Sequence, residues 1–346
     1  MSDIENRVNV LFINEISEAV REYLGSNLSD HANIKLIYPS DFSEQVILEI
    51  VPSADVLIGW RPSKILLEKA TKLKVFINPG AGVKHLISLF QEVPKTREII
   101  LVNGHGNSYF VAQHAVALLL SLMNKIIPHH SWMKEGNWRT GDAEAASIPL
   151  RFRTVGLLGY GAINQKVLKM LSGFDINFSI LKKSWEGFDG SLSSNIKMYT
   201  PSNLKTFCEE IDILIIAVPH TKLTENMITK EELQLLGKGD KKGLIVNVSR
   251  GEVIEEQALF QALKNKTIEG AAIDVWYKSN PSEDENGLKY PYNYPFHELD
   301  NIVLSPHRGY SPFSDLLRWD EVIDNLKRIS KGEYKLINKV NLELEY

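Results

Sequence analysis

The segment Thr154–Asn164, which reads TVGLLGYGAIN, constrains the fold of this chain more than any other feature. Its apolar first half is typical of a buried strand, its two glycines of a tight turn, and the residues beyond them of a helix. Such a turn lets the backbone approach a phosphate, and the helix N-terminus supplies unpaired N–H donors. The segment therefore predicts a dinucleotide site formed by Gly159, Tyr160, Gly161, Ala162 and Ile163.

The same motif departs from its usual form at one position. A third glycine, which normally permits close packing of the helix on the strand, is replaced by Asn164. The match is therefore imperfect, and a glycine turn alone is weak support for a dinucleotide.

Composition sets bounds on the remaining possibilities. The chain has 346 residues, enough for two domains, with 44% hydrophobic residues, 24% charged residues and a net charge of -4. Nothing in these values favours nucleic acid or an anionic membrane as a partner. The single cysteine, Cys208, lies in a helix-like context and excludes an internal disulfide framework. The chain shows no secretory signal and no apolar run long enough for a bilayer, so we expect a cytoplasmic protein; no metal site is predicted.

Apolar runs alternate with helical stretches along most of the chain, which predicts parallel sheets. Early strands are predicted at 8–13, 34–38, 55–60 and 73–78, and a long buried or interface helix at Val111–Ile127. Six further strands are predicted at 154–158, 177–181, 213–218, 244–248, 270–275 and 302–305, followed by a helix at 315–330. The fold class is α/β, with two doubly wound, Rossmann-like or flavodoxin-like domains and an interdomain cleft.

The predicted domains are discontinuous. The dinucleotide-binding domain occupies residues 106–309, and the substrate-binding domain combines residues 1–105 with 310–346. The alternation of Val340–Leu344 predicts a strand that returns to the first sheet.

Three groups of polar residues follow predicted strands. Lys182, Lys183 and Ser184 stand where a site for NAD would place an acidic residue, so they favour NADP, although they can also be solvated loop residues. Arg250 follows the strand at 244–248 and can bind a substrate carboxylate while polarising a neighbouring carbonyl. His307 follows the last strand and can exchange the proton that accompanies hydride transfer.

Taken together, these motifs resemble the D-isomer-specific 2-hydroxyacid dehydrogenase family over nearly the whole chain. The resemblance rests on the segments Asn78–His85, Ala112–Ala115, Ala217–Thr221, Gly270–Val275 and Ser305–Gly309, which keep the family's order. It implies NAD(P)-dependent interconversion of a small 2-oxo acid and its D-2-hydroxy acid, with catalysis by Arg250 and His307, and a homodimer formed through Val111–Ile127. It also implies substrate contacts from Arg61, Ala81 and Gly82, and cofactor contacts from Val218, Pro219, Val248, Ser249, Arg250, Asp274, His307 and Gly309.

One departure from the family concerns the partner of the histidine. The family has a glutamate just before a proline in the stretch after Asp274, and here Asn280 precedes Pro281. Asn280 is the predicted third catalytic residue, and Glu283 or Glu285 are alternatives that can fold back to His307. The missing carboxylate keeps two other functions open: oxidation of formate, as in the family's formate dehydrogenases, and a dinucleotide-responsive binding protein. Which 2-oxo acid is used is not determined by the sequence.

Overall fold

The computed structural model describes residues 7–93, 97–143, 145–237, 239–312 and 314–346. In these residues the strands are β1 (Val8–Phe12), β2 (Ile34–Ile37), β3 (Val56–Ile58), β4 (Val75–Asn78), β5 (Ile100–Asn103), β6 (Thr154–Leu158), β7 (Asn177–Leu181), β8 (Lys197–Tyr199), β9 (Ile213–Ile216), β10 (Leu244–Asn247), β11 (Gly270–Ile273) and β12 (Ile302–Leu304). The helices are α1 (Glu18–Asn27), α2 (Glu44–Ile50), α3 (Lys64–Lys69), α4 (Lys84–Gln91), α5 (Ser108–Met123), α6 (Ile126–Lys134), α7 (Ala162–Leu171), α8 (Leu204–Glu209), α9 (Lys230–Leu235), α10 (Glu256–Lys264) and α11 (Asp320–Ser330).

The chain divides into two compact units. The first runs up to Asn107 and resumes from Pro312 to Tyr346, and the second is Ser108–Ser311. This division does not test the functions predicted for the two parts, substrate binding and dinucleotide binding, which stay predictions.

The first unit is built on a parallel sheet with strand order β2-β1-β3-β4-β5. Side chains of α2, α3 and α4 cover one face, and those of α1 and α11 cover the other. The order and the two covered faces define a doubly wound sheet of the flavodoxin type.

The second unit is built on a larger parallel sheet with strand order β12-β11-β10-β9-β6-β7-β8. Helices α5 and α7 pack on one face, and α8, α9 and α10 pack on the other. The order reverses between β6 and β9, which is the position where open α/β sheets bind ligands. The predicted pair of doubly wound α/β sheets is confirmed.

Several predicted elements differ from those observed. Strands β5 and β8 were not predicted, and β8 is short and largely exposed. The prediction of a returning strand at Val340–Leu344 is wrong. A single antiparallel bridge joins Lys339 to Val102, and the chain then turns. The predicted helix Val111–Ile127 is instead α5 and α6, which meet at an angle of 62°.

The junction of α5 and α6 explains that difference. Lys125 adopts a left-handed conformation with φ of 52°, which ends one helix and begins the next. Among the described residues, no single helix is long and apolar enough to cross a membrane. Cys208 lies on α8 as its context predicted, and burial raises the pKa of its thiol to about 12, so it is not a reactive thiol.

Candidate active site

The glycine turn after β6 has the shape that a phosphate-bearing ligand requires. Gly159 has a φ of 87°, and a Cβ on it would lie 2.6 Å from the carbonyl oxygen of Ala217. At Gly161 a Cβ would meet no heavy atom within 4 Å, so the space before α7 is open. The first N–H groups of this helix lack intrahelical partners, which makes its N-terminus an anion site.

Asn164 occupies the position of the missing third glycine and is fully buried. Its Nδ2 donates to the carbonyl oxygens of Gly159, at 2.8 Å, and of Leu158, at 3.2 Å. Helix and strand therefore approach each other with an amide between them, and the amide fixes the turn through side-chain hydrogen bonds. The imperfect match in the sequence is thus compatible with a well-formed turn, because the side chain that replaces glycine supplies donors to its carbonyls.

The basic segment after β7 surrounds one of its two lysines with aromatic rings. The half-buried Lys182 has its Nζ 4.9 Å from the ring centroid of Phe188 and 5.7 Å from that of Trp185. The indole is fixed in turn, because its Nε1 donates to the carbonyl oxygen of Tyr199 at 2.8 Å. Lys183 and Ser184 are exposed.

Arg250 is positioned by the residue that ends β10. Asn247 is 1% exposed; its Oδ1 accepts from the N–H of Ser249 at 3.0 Å, and its Nδ2 donates to the carbonyl oxygen of Arg250 at 2.9 Å. The guanidinium donates through Nη1 to the carbonyl oxygen of Ser249 at 2.6 Å. Within the described parts of the chain no carboxylate lies within 4.0 Å of it, so its charge is available to a ligand.

The electrostatics of Arg250 follow from this placement. Burial lowers the pKa of its guanidinium from the usual value, and the nearby carboxylate of Glu252 opposes that effect. A half-buried arginine with no acidic partner is the group that best recognises a planar carboxylate through two parallel hydrogen bonds.

His307 follows β12 and has a left-handed backbone with φ of 56°, which is uncommon for a residue with a side chain. It remains exposed, and its ring lies 5.2 Å from that of Tyr310 in an edge-to-face arrangement. Desolvation, and then the positive charge of Arg250, lower the pKa of His307, while the negative charge of Asp274 raises it. The structure therefore brings the predicted arginine, histidine and aspartate together in the second unit.

Asp274 is the buried hub of this group and is 1% exposed. Its Oδ1 accepts from Ser305 Oγ at 2.5 Å and from the N–H of Arg308 at 2.7 Å, and its Oδ2 accepts from the N–H of Gly309 at 2.9 Å. Burial raises the pKa of Asp274, but these bonds and one from His114 outweigh it and leave the pKa below its usual value. The carboxylate is therefore ionised and holds the backbone after His307 in place.

His114 is a site residue to which sequence reasoning assigned no role. It lies on α5 with its Nε2 2.9 Å from Ser305 Oγ and 3.3 Å from Asp274 Oδ1. The signal in the sequence was a histidine between Val111 and Leu118 on the apolar face of a helix. A half-buried polar group on such a face requires a partner, and the partner is found on other elements of the second sheet.

The predicted partners of His307 are not brought to it. Asn280, Glu283 and Glu285 are all exposed, and Glu283 instead pairs with Lys289 at 3.2 Å. No hydrogen bond joins any of the three to His307 within the described residues. The physical reason is the loop itself: an antiparallel bridge between residues 283 and 289 closes it locally, with Asp284 capping its tip.

Other predicted cofactor residues lie around the glycine turn. Val218 packs against it, since a Cβ on Gly159 would lie 2.8 Å from Val218 Cγ1. The carbonyl oxygen of Pro219 accepts from Thr224 Oγ1 at 2.6 Å, and Val248 is buried beside β9 with its N–H donating to the carbonyl oxygen of Ile216. The loops after β6, β9 and β10 thus meet at the switch point of the sheet.

The predicted substrate residues lie in the first unit, after β3 and β4. Asn78 Nδ2 donates to the carbonyl oxygens of Gly80, at 2.5 Å, and of Gly82, at 3.4 Å. Asn103 Nδ2 donates to the carbonyl oxygen of Ala81 at 2.7 Å. Arg61 follows β3 and is exposed to solvent.

The second sheet carries a glycine turn at its switch point, and an arginine and a histidine follow the neighbouring strands β10 and β12. Such an arrangement is typical of the dinucleotide-binding unit of an oxidoreductase. Residues 116–309 match the sequence model of the D-isomer specific 2-hydroxyacid dehydrogenase, NAD binding domain. The chain belongs to this family, as its motifs indicated. A nicotinamide dinucleotide is accordingly the cofactor class of the family's domain.

Relatives and solved structures agree with that assignment. A D-3-phosphoglycerate dehydrogenase from Methanocaldococcus jannaschii is 28% identical over 314 residues, which cover 88% of this chain and 55% of that protein. The chain thus spans about half the length of that relative. A glyoxylate reductase from Pyrococcus furiosus is 29% identical over 315 residues, 86% of this chain and 87% of that one.

Solved structures of the same family have a similar fold. A D-isomer specific 2-hydroxyacid dehydrogenase from Xanthobacter autotrophicus Py2, in complex with NADPH and MES, superposes with a TM-score of 0.77 at 20% identity. The match covers 98% of this chain and 100% of that chain.

Proposed function

We propose that this protein is an NAD(P)-dependent oxidoreductase that interconverts a small 2-oxo acid and its D-2-hydroxy acid, acting as a reductase with NADPH. The observation that supports it most is the guanidinium of Arg250, which has no carboxylate within 4.0 Å among the described residues and whose positive charge lowers the pKa of His307. A cation for the carboxylate and a proton donor for the carbonyl oxygen are the two groups that reduction of a 2-oxo acid requires.

The residues divide the work between them. Arg250 binds the carboxylate and draws electron density from the adjacent carbonyl oxygen. His307 gives a proton to that oxygen as negative charge develops on it, and takes the proton back in the reverse direction. When bound, a nicotinamide dinucleotide supplies the hydride that the carbonyl carbon accepts. The open space at Gly161 and the turn that the positive φ of Gly159 forms fit its pyrophosphate.

The loop after β4, in the first unit, is also proposed to bind the acid. The side-chain amides of Asn78 and Asn103 donate hydrogen bonds to the carbonyl oxygens of Gly80, Ala81 and Gly82. In a trans peptide the N–H points away from the carbonyl of the same unit, so the N–H groups that follow these carbonyls face the opposite way. We propose that they bind the carboxylate, with Arg61 contributing charge.

The preference for NADPH rests on Lys182. Its ammonium is held by aromatic rings, the described residues place no carboxylate within 4.0 Å of it, and a positive charge here favours a 2′-phosphate. Lys182→Gln is expected to weaken NADPH binding roughly 10- to 100-fold and leave NADH binding unchanged, since one charged hydrogen bond is lost. Fluorescence titration with both nucleotides measures this.

A matched control distinguishes a local effect from a general loss of positive charge. Lys169→Gln removes an exposed lysine in the last turn of α7, at the opposite end from the glycine turn, and should change neither affinity. Tighter binding of NADH than NADPH by the unaltered protein would contradict the proposed preference.

The proposed activity is tested by following nucleotide absorbance with a panel of 2-oxo acids, from glyoxylate and hydroxypyruvate to bulkier acids, with NADPH and NADH. Turnover of at least one acid, with a D-2-hydroxy acid as product, is expected. Oxidation of formate with no reduction of any 2-oxo acid would instead favour a formate dehydrogenase. Tight NADPH binding without turnover of either substrate class would favour a dinucleotide-responsive binding protein.

We also propose a homodimer through the region Val111–Ile127, which ends in the first residues of α6. Every described residue of α6 is at least partly exposed, and Ile126, Ile127 and Met133 are 54%, 47% and 52% exposed. An exposed apolar helix of this kind is typical of an interaction surface. Light scattering on the purified protein should give twice the chain mass of 39.2 kDa, and a replacement of Ile126 and Ile127 by serine should give the monomer mass.

A further inference from the structure

We propose that His114 is a positioning residue for the reaction: through Ser305 and Asp274 it fixes the backbone that carries His307. The proposal rests on the proposed function of His307. It assigns a role to a side chain on α5 that is not itself expected to touch substrate or cofactor.

The direction of each hydrogen bond follows from counting hydrogens. Asp274 is ionised and can only accept, so the 2.5 Å contact with Ser305 uses the single hydroxyl hydrogen of the serine. Ser305 Oγ must therefore accept from His114 Nε2, at 2.9 Å. His114 carries a proton on Nε2 in either charge state, and the chain of donation runs from His114 to Ser305 to Asp274.

Asp274, the last acceptor in this series of hydrogen bonds, also binds the backbone beside His307. Asp274 accepts the N–H groups of Arg308 and Gly309, the two residues that follow the histidine. A left-handed backbone at a histidine costs free energy and persists only where its surroundings impose it. These two bonds are such a constraint.

The packing at Gly309 makes the arrangement rigid. A Cβ there would lie 2.9 Å from Asp274 Oδ2 and 3.5 Å from His114 Cδ2, so both side chains close over this residue. The carboxylate cannot move without disturbing the loop that carries the histidine. Of the three hydrogen-bonded side chains, that of His114 is the most exposed to solvent, at 27%.

The charges around His307 predict the direction in which its pKa changes when this positioning is lost. Arg250 lowers the pKa of His307, Asp274 raises it, and His114 and Ser305 stabilise the charge of Asp274. Without the His114 bond the Asp274 carboxylate keeps its charge but is held less firmly in place, and of these groups it is the one that favours the protonated ring. The reductase rate should then fall at lower pH than in the unaltered protein.

The test compares His114→Leu, His114→Gln and, as a control on the same helix, Gln113→Leu, whose side chain is exposed. His114→Leu is expected to lower kcat about tenfold or more and to move the alkaline limb of the pH profile down by about 0.5 unit, with nucleotide affinity retained. His114→Gln keeps an N–H near the position of Nε2, so its kcat and the alkaline limb of its pH profile should be close to those of the unaltered protein. Gln113→Leu should match the unaltered protein.

Several outcomes overturn the proposal. A His114→Leu protein with an unaltered pH profile, or a His114→Gln protein that is as impaired as His114→Leu, would show that the bond has no positioning role. If His114→Leu does not fold, Ser305→Ala removes the middle of the chain and must show the same shift. Inactivity of the unaltered protein, or full activity of His307→Ala, would instead contradict the proposed function itself.

Discussion

Replacing His307 with alanine is expected to lower kcat for reduction of a 2-oxo acid by roughly 100- to 10,000-fold, the usual contribution of a general acid. The dissociation constant of the nucleotide should stay unchanged, because the glycine turn that receives it follows β6 and not β12. Steady-state kinetics and nucleotide titration measure the two quantities. The exposed His130 provides a matched control, and His130→Ala should have normal kcat.

The pH dependence of the unaltered protein tests the same role. Desolvation and Arg250 lower the pKa of His307 below the ordinary value of about 6.5 for histidine. Reduction needs the protonated ring, so its rate should fall as the pH rises through that lowered pKa, while oxidation of the hydroxy acid should increase over the same range. A reduction rate that stays maximal well above neutrality would show that a carboxylate, such as Glu283 or Glu285, reaches the histidine.

Replacement of Arg250 should have an effect of similar size on a different parameter. Arg250→Gln removes two charged hydrogen bonds to the carboxylate, each worth about 1.5–3 kcal/mol, so kcat/KM should fall roughly 100- to 10,000-fold. Arg250→Lys keeps the charge but not the paired geometry, and should recover only part of the loss. Kinetics over a wide range of 2-oxo acid concentrations measure both.

Arg151→Gln is the matched control for Arg250. Arg151 precedes β6, at the amino end of the sheet, where it pairs with Asp175 at 2.9 Å and is exposed. Its replacement should leave kcat/KM unchanged. If Arg250→Gln retains normal kcat/KM for every acid that the protein reduces, Arg250 does not bind the carboxylate.

The sequence predicts most of the buried, apolar strands, and β5 is the exception. The predicted bounds of β6 and β7 are those observed, because most of their residues are apolar and buried and each run ends where glycine or polar residues follow. Strand β8 escaped prediction because Lys197–Tyr199 lies at the sheet edge, is largely exposed and carries no apolar pattern. The C-terminal residues alternate in hydrophobicity, yet only Lys339 pairs with β5, because the chain turns directly afterwards.

The candidate site was predictable where function depends on a residue that follows a strand. Arg250, Asp274 and His307 come from β10, β11 and β12, and strand order places these ends side by side. His114 has no such signal, because its partners Ser305 and Asp274 are far from it in sequence. The prediction of Asn280 rests on its place before a proline; in the structure it is exposed and lies outside the segment that the bridge between residues 283 and 289 closes.

The first unit has one consequence for how the chain is made. Helix α11 supplies Val322, Ile323, Leu326 and Ile329 to one face of the sheet that β1 to β5 form. During translation, residues 108–311 must be synthesised before this cover exists, which takes roughly 10–40 s at ordinary ribosome speeds. For that interval α1 alone covers this face of the nascent amino-terminal sheet, and the apolar surface left exposed is one that chaperones bind and that makes newly made chains prone to aggregate.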